Sequence, residues 1–270
     1  MNWPVFFRRL GSAIIFSAVM MAGLLYPDPI AIFCLALLIQ FLCLREFLQI
    51  CKKIFPDTWF PRWINPATQL AGIVVMYCLT FVDKTFAFAG LLIPALFLLP
   101  ATLSRRTALK AAFSALVALM YISIPMGLLV ALRGMHIALP VALILMIWMN
   151  DTMAYLTGSF IGRTPFSAIS PKKTWEGTIG GVVFTLASAA IWAKYNPYNN
   201  AFYFYDWIII AFIVCIAGTA GDLFESKLKR MEDIKDSGNL MPGHGGALDR
   251  FDSLLMSVPF VFSYLWLMIS

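Results

Sequence analysis

Apolar stretches separated by short polar joins run the length of this 270-residue chain. They fall at roughly 11–26, 30–50, 66–82, 86–103, 109–132, 137–160, 177–194, 206–224 and 251–269, several of them near the lower limit for a helix crossing a bilayer. Proline or glycine marks many of the joins, as expected of residues that end helices. Arg8 and Arg9 ahead of the first stretch would also suit a signal peptide. A second apolar stretch follows at once after Pro27-Asp28-Pro29, however, as in a tight loop between two spans. The segment from Pro56 to Pro66 carries Trp59, Phe60, Arg62 and Trp63, a mixture suited to the headgroup level. The pattern predicts an all-α polytopic membrane protein of about nine transmembrane helices.

Composition agrees with that class. The chain is 61% hydrophobic and 13% charged, with a mean hydropathy of +0.82, whereas soluble domains sit near half apolar and a quarter charged. The net charge of +6 therefore reports membrane orientation and gives no ground for a nucleic-acid partner. With the N-terminus placed inside, seventeen of the twenty Lys and Arg residues fall on the cytoplasmic side, and only Lys84, Arg133 and Lys194 fall outside. The expected topology is N-terminus cytoplasmic and C-terminus outside, in a bacterial inner membrane. Polar loops at 161–176 and 225–250 then face the cytoplasm. About five spans form an N-terminal block over 1–135, and 136–270 forms a C-terminal region expected to carry the chemistry. Cys34, Cys43, Cys51, Cys78 and Cys215 lie in or beside apolar runs without CxxC spacing, and read as small apolar fillers.

The stretch from Gly218 to Asp252 is the polar exception. It holds seven of the fourteen acids and five of the twenty bases. At about 3.6 residues per turn, Asp222, Glu225, Ser226 and Lys229 share one helix face. Asp249 and Asp252 share another if the last helix has begun. Separated carboxylates with several cations are an inventory for a divalent metal and a polyphosphate. Gly243, Gly245 and Gly246 would let backbone approach a ligand closely. The alternative is a solvated cytoplasmic loop, which leaves His244, the clustered glycines and the carboxylates at both span ends without a reason.

A second cluster lies further up the chain. Asn150 and Asp151 interrupt an apolar run well away from its ends, and an ionisable residue at membrane depth is costly enough to suggest function. Ser170-Pro171-Lys172-Lys173-Thr174-Trp175-Glu176-Gly177 follows. Thr174 suits an N-cap of the seventh span. Lys172 and Lys173 beside that helix start would suit a phosphate, although two lysines at a membrane boundary also serve as headgroup anchors. Gly177 and Gly181 read as a helix-packing pair. His136, in a predicted outer loop, has no assigned role.

The stretch from Ser226 to Asp252 resembles the signature of phosphatidate cytidylyltransferases (CDP-diacylglycerol synthases). It does so through Ser226, Lys229, Arg230, Lys235, Asp236, Gly238, Pro242, His244, Gly245, Gly246, Asp249, Arg250 and Asp252 at the family's spacing. Met241 and Ala247 depart from the usual larger apolar residues and carry no chemistry. Asp151 and the Ser170–Gly177 run also resemble family features, so the likeness covers roughly the C-terminal half. It implies transfer of CMP from CTP to phosphatidate, giving CDP-diacylglycerol and pyrophosphate, with Mg²⁺ alone or with a second cation. Asp222 and Asp249 are the expected metal ligands. The catalytic set is completed by Lys229, Arg230, Lys235, Asp236, His244, Arg250 and Asp252, with the part played by His244 left open. Asp151, Ser170, Lys172, Lys173, Thr174, Glu176, Ser226, Gly245 and Gly246 are expected around the substrates. The expected partners are CTP, phosphatidate and the bilayer, with a homodimer as the alternative to a monomer. A related enzyme using CTP on an isoprenoid lipid, and a secondary transporter, are the competing functional readings.

Overall fold

A computed structural model describes residues 3–82, 92–96, 109–195, 202–238 and 245–269. All regular structure among them is helical. The long helices are α1 (Trp3–Leu25), α2 (Pro29–Ile54), α3 (Ile64–Phe81), α4 (Leu109–Met135), α5 (Ala138–Ile161), α6 (Trp175–Tyr195), α7 (Phe204–Arg230) and α8 (Leu248–Ile269). Seven of them, α2 to α8, are long and apolar enough to cross a membrane, and Gly11–Leu25 of α1 is a shorter apolar helix. The chain is thus an all-α polytopic membrane protein. The span expected at 86–103 lies largely outside the described residues, with only the single turn Ile93–Leu96 seen.

Local sequence explains the ends. Asp28 caps α2, its carboxylate accepting from the Ile30 N–H at 2.9 Å with Pro29 beginning the helix, where the missing proline N–H costs nothing. At the other end Lys52 and Lys53 occupy the last turn, where cations meet the negative end of the helix dipole. Pro125 lies inside α4 and cannot donate to the carbonyl four residues back. The turn ahead of it, Leu119–Ser123, widens into a π-helical turn, a usual way to absorb such a break. The polar loops are shorter than hydropathy suggested. Helix α7 continues to Arg230 and α8 begins at Leu248, so the 225–250 loop contracts to 231–247. Apolar runs measure membrane thickness, whereas helical hydrogen bonding continues through charged residues beyond it.

The chain forms two compact units. The first comprises Met1–Gly134 with Leu228–Phe251, and the second Met135–Lys227 with Asp252–Ser270. Residues Leu228–Phe251 of the signature stretch thus fall in the first unit. In the first unit α2 buries Ile32, Ala36, Ile39, Cys43, Leu44, Phe47 and Leu48 at the three- and four-residue spacing of one helix face. Leu38 and Phe41 on its other side are exposed, as a lipid-facing surface allows.

In the second unit α5 and α6 cross closely, as the small-residue pair suggested. A methyl group on Gly181 would lie 2.8 Å from the Asn150 carbonyl oxygen, and one on Gly177 would lie 2.7 Å from that of Ala154. Helices α7 and α8 are joined by hydroxyls. Ser253 donates to the Gly218 carbonyl at 3.1 Å, and Tyr264 donates to Asp206 at 2.7 Å. Such small residues and hydroxyl donors replace the hydrophobic driving force that helices lack in lipid. Replacing Gly181 by Leu should destabilise the protein by about 1–3 kcal/mol. Gly134→Ala, at a site with open space around it, should not. Thermal unfolding of both variants in detergent checks this.

Candidate active site

Candidate residues form two polar clusters, one in each unit. The second unit's cluster begins with the loop between α5 and α6. Phe166 N–H donates to the Lys173 carbonyl at 2.8 Å and Trp175 N–H to that of Thr164 at 3.0 Å, making a short antiparallel bridge between Pro165 and Thr174. The Phe166 and Trp175 rings meet edge to face at 4.6 Å. Thr174 caps α6, its hydroxyl accepting from Gly177 N–H at 3.1 Å, which satisfies one of the free donors at a helix start. Glu176, in the first turn of α6, reaches back over the loop. It accepts from Arg163 N–H at 3.1 Å, from Thr164 N–H at 3.1 Å and from the Thr164 hydroxyl at 2.8 Å.

This folded loop presents Lys173, whose ammonium pairs with Asp222 on α7. Both side chains remain somewhat under one-third exposed. Ser226, one turn further along α7, donates to the other Asp222 oxygen at 3.3 Å. Asp252 on α8 is buried, and Asp222, Asp151 and Lys173 all lie within its electrostatic reach. Asp151 itself is exposed on α5. Asp222 and Asp151 with one ammonium leave a local excess of negative charge, although among the described residues no three acids, histidines or cysteines converge closely enough to hold a metal ion by themselves. Ser170 serves the turn, its carbonyl accepting from Lys173 N–H at 3.0 Å. Lys172 is exposed beside it.

The first unit's cluster is built on the end of α7 and the start of α8. Helix α7 closes with Ile234 N–H donating to the Lys229 carbonyl at 3.1 Å, and Asp233 in the left-handed region at φ 52°, a conformation Asp tolerates better than most residues. Lys229 pairs with Asp249 at 2.6 Å, both side chains nearly buried at 12% and 11% exposure. The second Asp249 oxygen accepts from Ser237 N–H at 2.9 Å, Ser237 hydroxyl at 3.0 Å and Gly246 N–H at 2.7 Å. Gly245 turns the chain there at φ 82°, which glycine adopts without strain. Arg230, Lys235, Asp236 and Arg250 are exposed, with Arg230 donating to the Ile234 carbonyl at 3.2 Å. His244 lies outside the described residues.

Sequence reasoning passed over Glu46 of α2. Its carboxylate accepts from Ala247 N–H at 3.0 Å, Leu248 N–H at 2.9 Å and the Ser237 hydroxyl at 2.8 Å. A weaker signal was available, because Glu46 is an acid near the expected cytoplasmic end of the apolar 30–50 stretch.

A polytopic helical membrane protein with lysine–carboxylate pairs at the ends of its spans is the class defined so far. The chain belongs to the cytidylyltransferase family, whose model matches residues 7–268. It is similar to the phosphatidate cytidylyltransferase of Bacillus subtilis (strain 168), 44% identical over 117 residues, which cover 43% of this chain and 43% of that protein. It is also similar to the chloroplastic phosphatidate cytidylyltransferase 4 of Arabidopsis thaliana, 43% identical over 116 residues, covering 43% of this chain and 29% of that protein. The phosphatidate cytidylyltransferase of Rickettsia felis is 38% identical over 155 residues, covering 54% and 68%. The chain thus matches less than half the length of the first two relatives.

Removal of the Glu176 carboxylate leaves the Arg163 and Thr164 N–H groups without their acceptor. In Glu176→Ala, hydrogen exchange at these two amides should accelerate roughly tenfold or more. Exchange at the Ala247 amide, in the other unit, should stay as in the parent protein. Amide exchange followed by mass spectrometry checks both.

Proposed function

We propose that this protein transfers CMP from CTP to phosphatidate, releasing pyrophosphate and leaving CDP-diacylglycerol in the membrane. The observation that carries this reading is a lysine paired with an aspartate in each cluster, Lys173 with Asp222 and Lys229 with Asp249. These are cations held in place beside carboxylates at the ends of membrane helices. The family membership and the names of the relatives support it. The distribution of Lys and Arg supports an N-terminus in the cytoplasm, with the loops that bear both clusters facing cytosolic CTP in a bacterial inner membrane.

In this reaction a phosphate oxygen of phosphatidate forms a bond to the α-phosphorus of CTP. The bond from that phosphorus to the oxygen bridging it to the β-phosphate breaks, and pyrophosphate leaves with the electron pair. The nucleophile is already anionic, so no strong base is required and no covalent enzyme intermediate forms. Positioning and charge neutralisation then supply most of the rate. Asp222 fits a Mg²⁺ ligand, with Asp151 adding to the negative field around it. Bound there, Mg²⁺ would neutralise charge on the phosphate oxygens. Asp249 engages Lys229 through one oxygen and three N–H or O–H donors through the other. Lys173 and Lys229 are oriented by their aspartates and offer ammonium groups to phosphate, while Lys172, Arg230, Lys235 and Arg250 add exposed positive charge.

Purified protein in mixed micelles should release pyrophosphate only when CTP, phosphatidate and Mg²⁺ are all supplied. Isoprenoid lipid phosphates in place of phosphatidate should release none. Asp222→Asn and Lys229→Met should each lower kcat by about 10²–10³ or more while the protein remains folded in detergent. Pyrophosphate release without an added lipid acceptor, or near-normal turnover in Asp222→Asn, would overturn the assignment.

A further inference from the structure

Glu46 has a combination of contacts that the proposed reaction does not explain directly. It lies on α2, 191 residues from Ser237 and 202 from Leu248, and accepts from both. Ala247 and Leu248 are fully buried, so their N–H groups have no water to turn to, and a buried donor without an acceptor is costly. Neither N–H has a partner inside α8, because the first turn of a helix lacks them. The Glu46 carboxylate fills that gap from another helix, and its negative charge suits the positive end of α8.

The fit is close. A methyl group on Gly238 would collide with one Glu46 oxygen, and a methyl on Gly246 with the other. The two signature glycines therefore make room for this carboxylate, so part of the close backbone approach expected for a ligand is made to a side chain of α2. Ser237 links the two acids. Its hydroxyl stands 2.8 Å from Glu46 and 3.0 Å from Asp249, and its single proton serves both acceptors. Asp249 in turn orients Lys229 at 2.6 Å.

We propose that Glu46 is a positioning residue that holds Ser237 and the start of α8, so that Asp249 and Lys229 are presented in fixed register. The functional half of this inference rests on the cytidylyl-transfer reading; the anchoring half does not. Displacement of a reacting group by about 1 Å costs on the order of a hundredfold in rate, so a residue that touches no substrate can still control turnover.

The test uses the full-length protein in mixed micelles. Glu46→Gln keeps the shape but places an NH2 group against donors on one side. It should lower kcat at least roughly tenfold per folded molecule, and Arg45→Gln, exposed on the same helix, should leave kcat unchanged. Amide exchange in Glu46→Gln should quicken at Ala247 and Leu248 and also at Ser237 and Gly246, whose N–H groups are held by Asp249 and not by Glu46. Ser237→Ala should also slow turnover, and the double variant should be no slower than the slower single one. Parent-level turnover in Glu46→Gln, exchange changes confined to Ala247 and Leu248, or rate losses that multiply in the double variant would each overturn the proposal. If Glu46→Gln fails to fold, Ser237→Ala carries the comparison: slower turnover with faster exchange at Gly246 supports the linkage, and parent-level turnover overturns it. If the parent protein releases no pyrophosphate, the functional reading alone falls, and the exchange measurements still decide whether Glu46 anchors Ser237 and the start of α8.

Discussion

Carboxylates order the polar segments between the helices of this chain by accepting backbone N–H groups that have no helical partner. Glu176 takes the N–H groups of Arg163 and Thr164. Asp249 takes those of Ser237 and Gly246, and Glu46 those of Ala247 and Leu248. An ionised carboxylate is an acceptor with two oxygens and several lone pairs, so one side chain can order a whole turn of irregular chain. Without these acids the segments carrying the signature residues would have no fixed path, because loops bury too little apolar surface to order themselves.

Ordered loops make ordered cations. Lys173 leaves its loop to meet Asp222, and Lys229 leaves the end of α7 to meet Asp249. A lysine has four rotatable bonds and holds no single position unless something fixes it. Pairing with a carboxylate that is itself hydrogen-bonded gives each ammonium a defined place. That arrangement suits phosphoryl chemistry, in which donors already in position at the transition state lower the barrier more than mobile ones. The helix crossings behind the clusters have the same effect at longer range. The approach of α5 and α6 at Gly177 and Gly181, and the Ser253 hydroxyl bridge from α8 to α7, leave little freedom in the helices that bear Asp151, Asp222 and Asp252.

Much of this protein was legible residue by residue. Hydrophobic run length marked the spans from α2 to α8, because burial in lipid demands about twenty apolar residues wherever it occurs. Thr174 was readable as a cap from its place ahead of an apolar run, and Gly177 with Gly181 as a packing pair from spacing alone. The ends of α7 and α8 were misjudged. Hydropathy falls where the membrane ends, while the helix continues until its hydrogen bonding is interrupted. Glu176 is expected around the substrates from its place in the loop, and its hydrogen bonds order that loop. Residue type alone does not distinguish an acid that waits for a cation from one already occupied by N–H groups.

The sequence alone was enough for the class of protein, the approximate positions of its helices and the lysines and acids from which its polar clusters are made, since run length, composition and spacing are local properties. The pairing of those residues was settled by the packing of helices distant in the chain. Glu46 meets Ser237 and Leu248 only because α2 lies against the start of α8, and Asp222 meets Lys173 only because a folded loop between α5 and α6 carries the lysine to it. No local pattern encodes such encounters. They arise where buried donors and acceptors, brought together by helix packing, have no water to satisfy them and must satisfy one another.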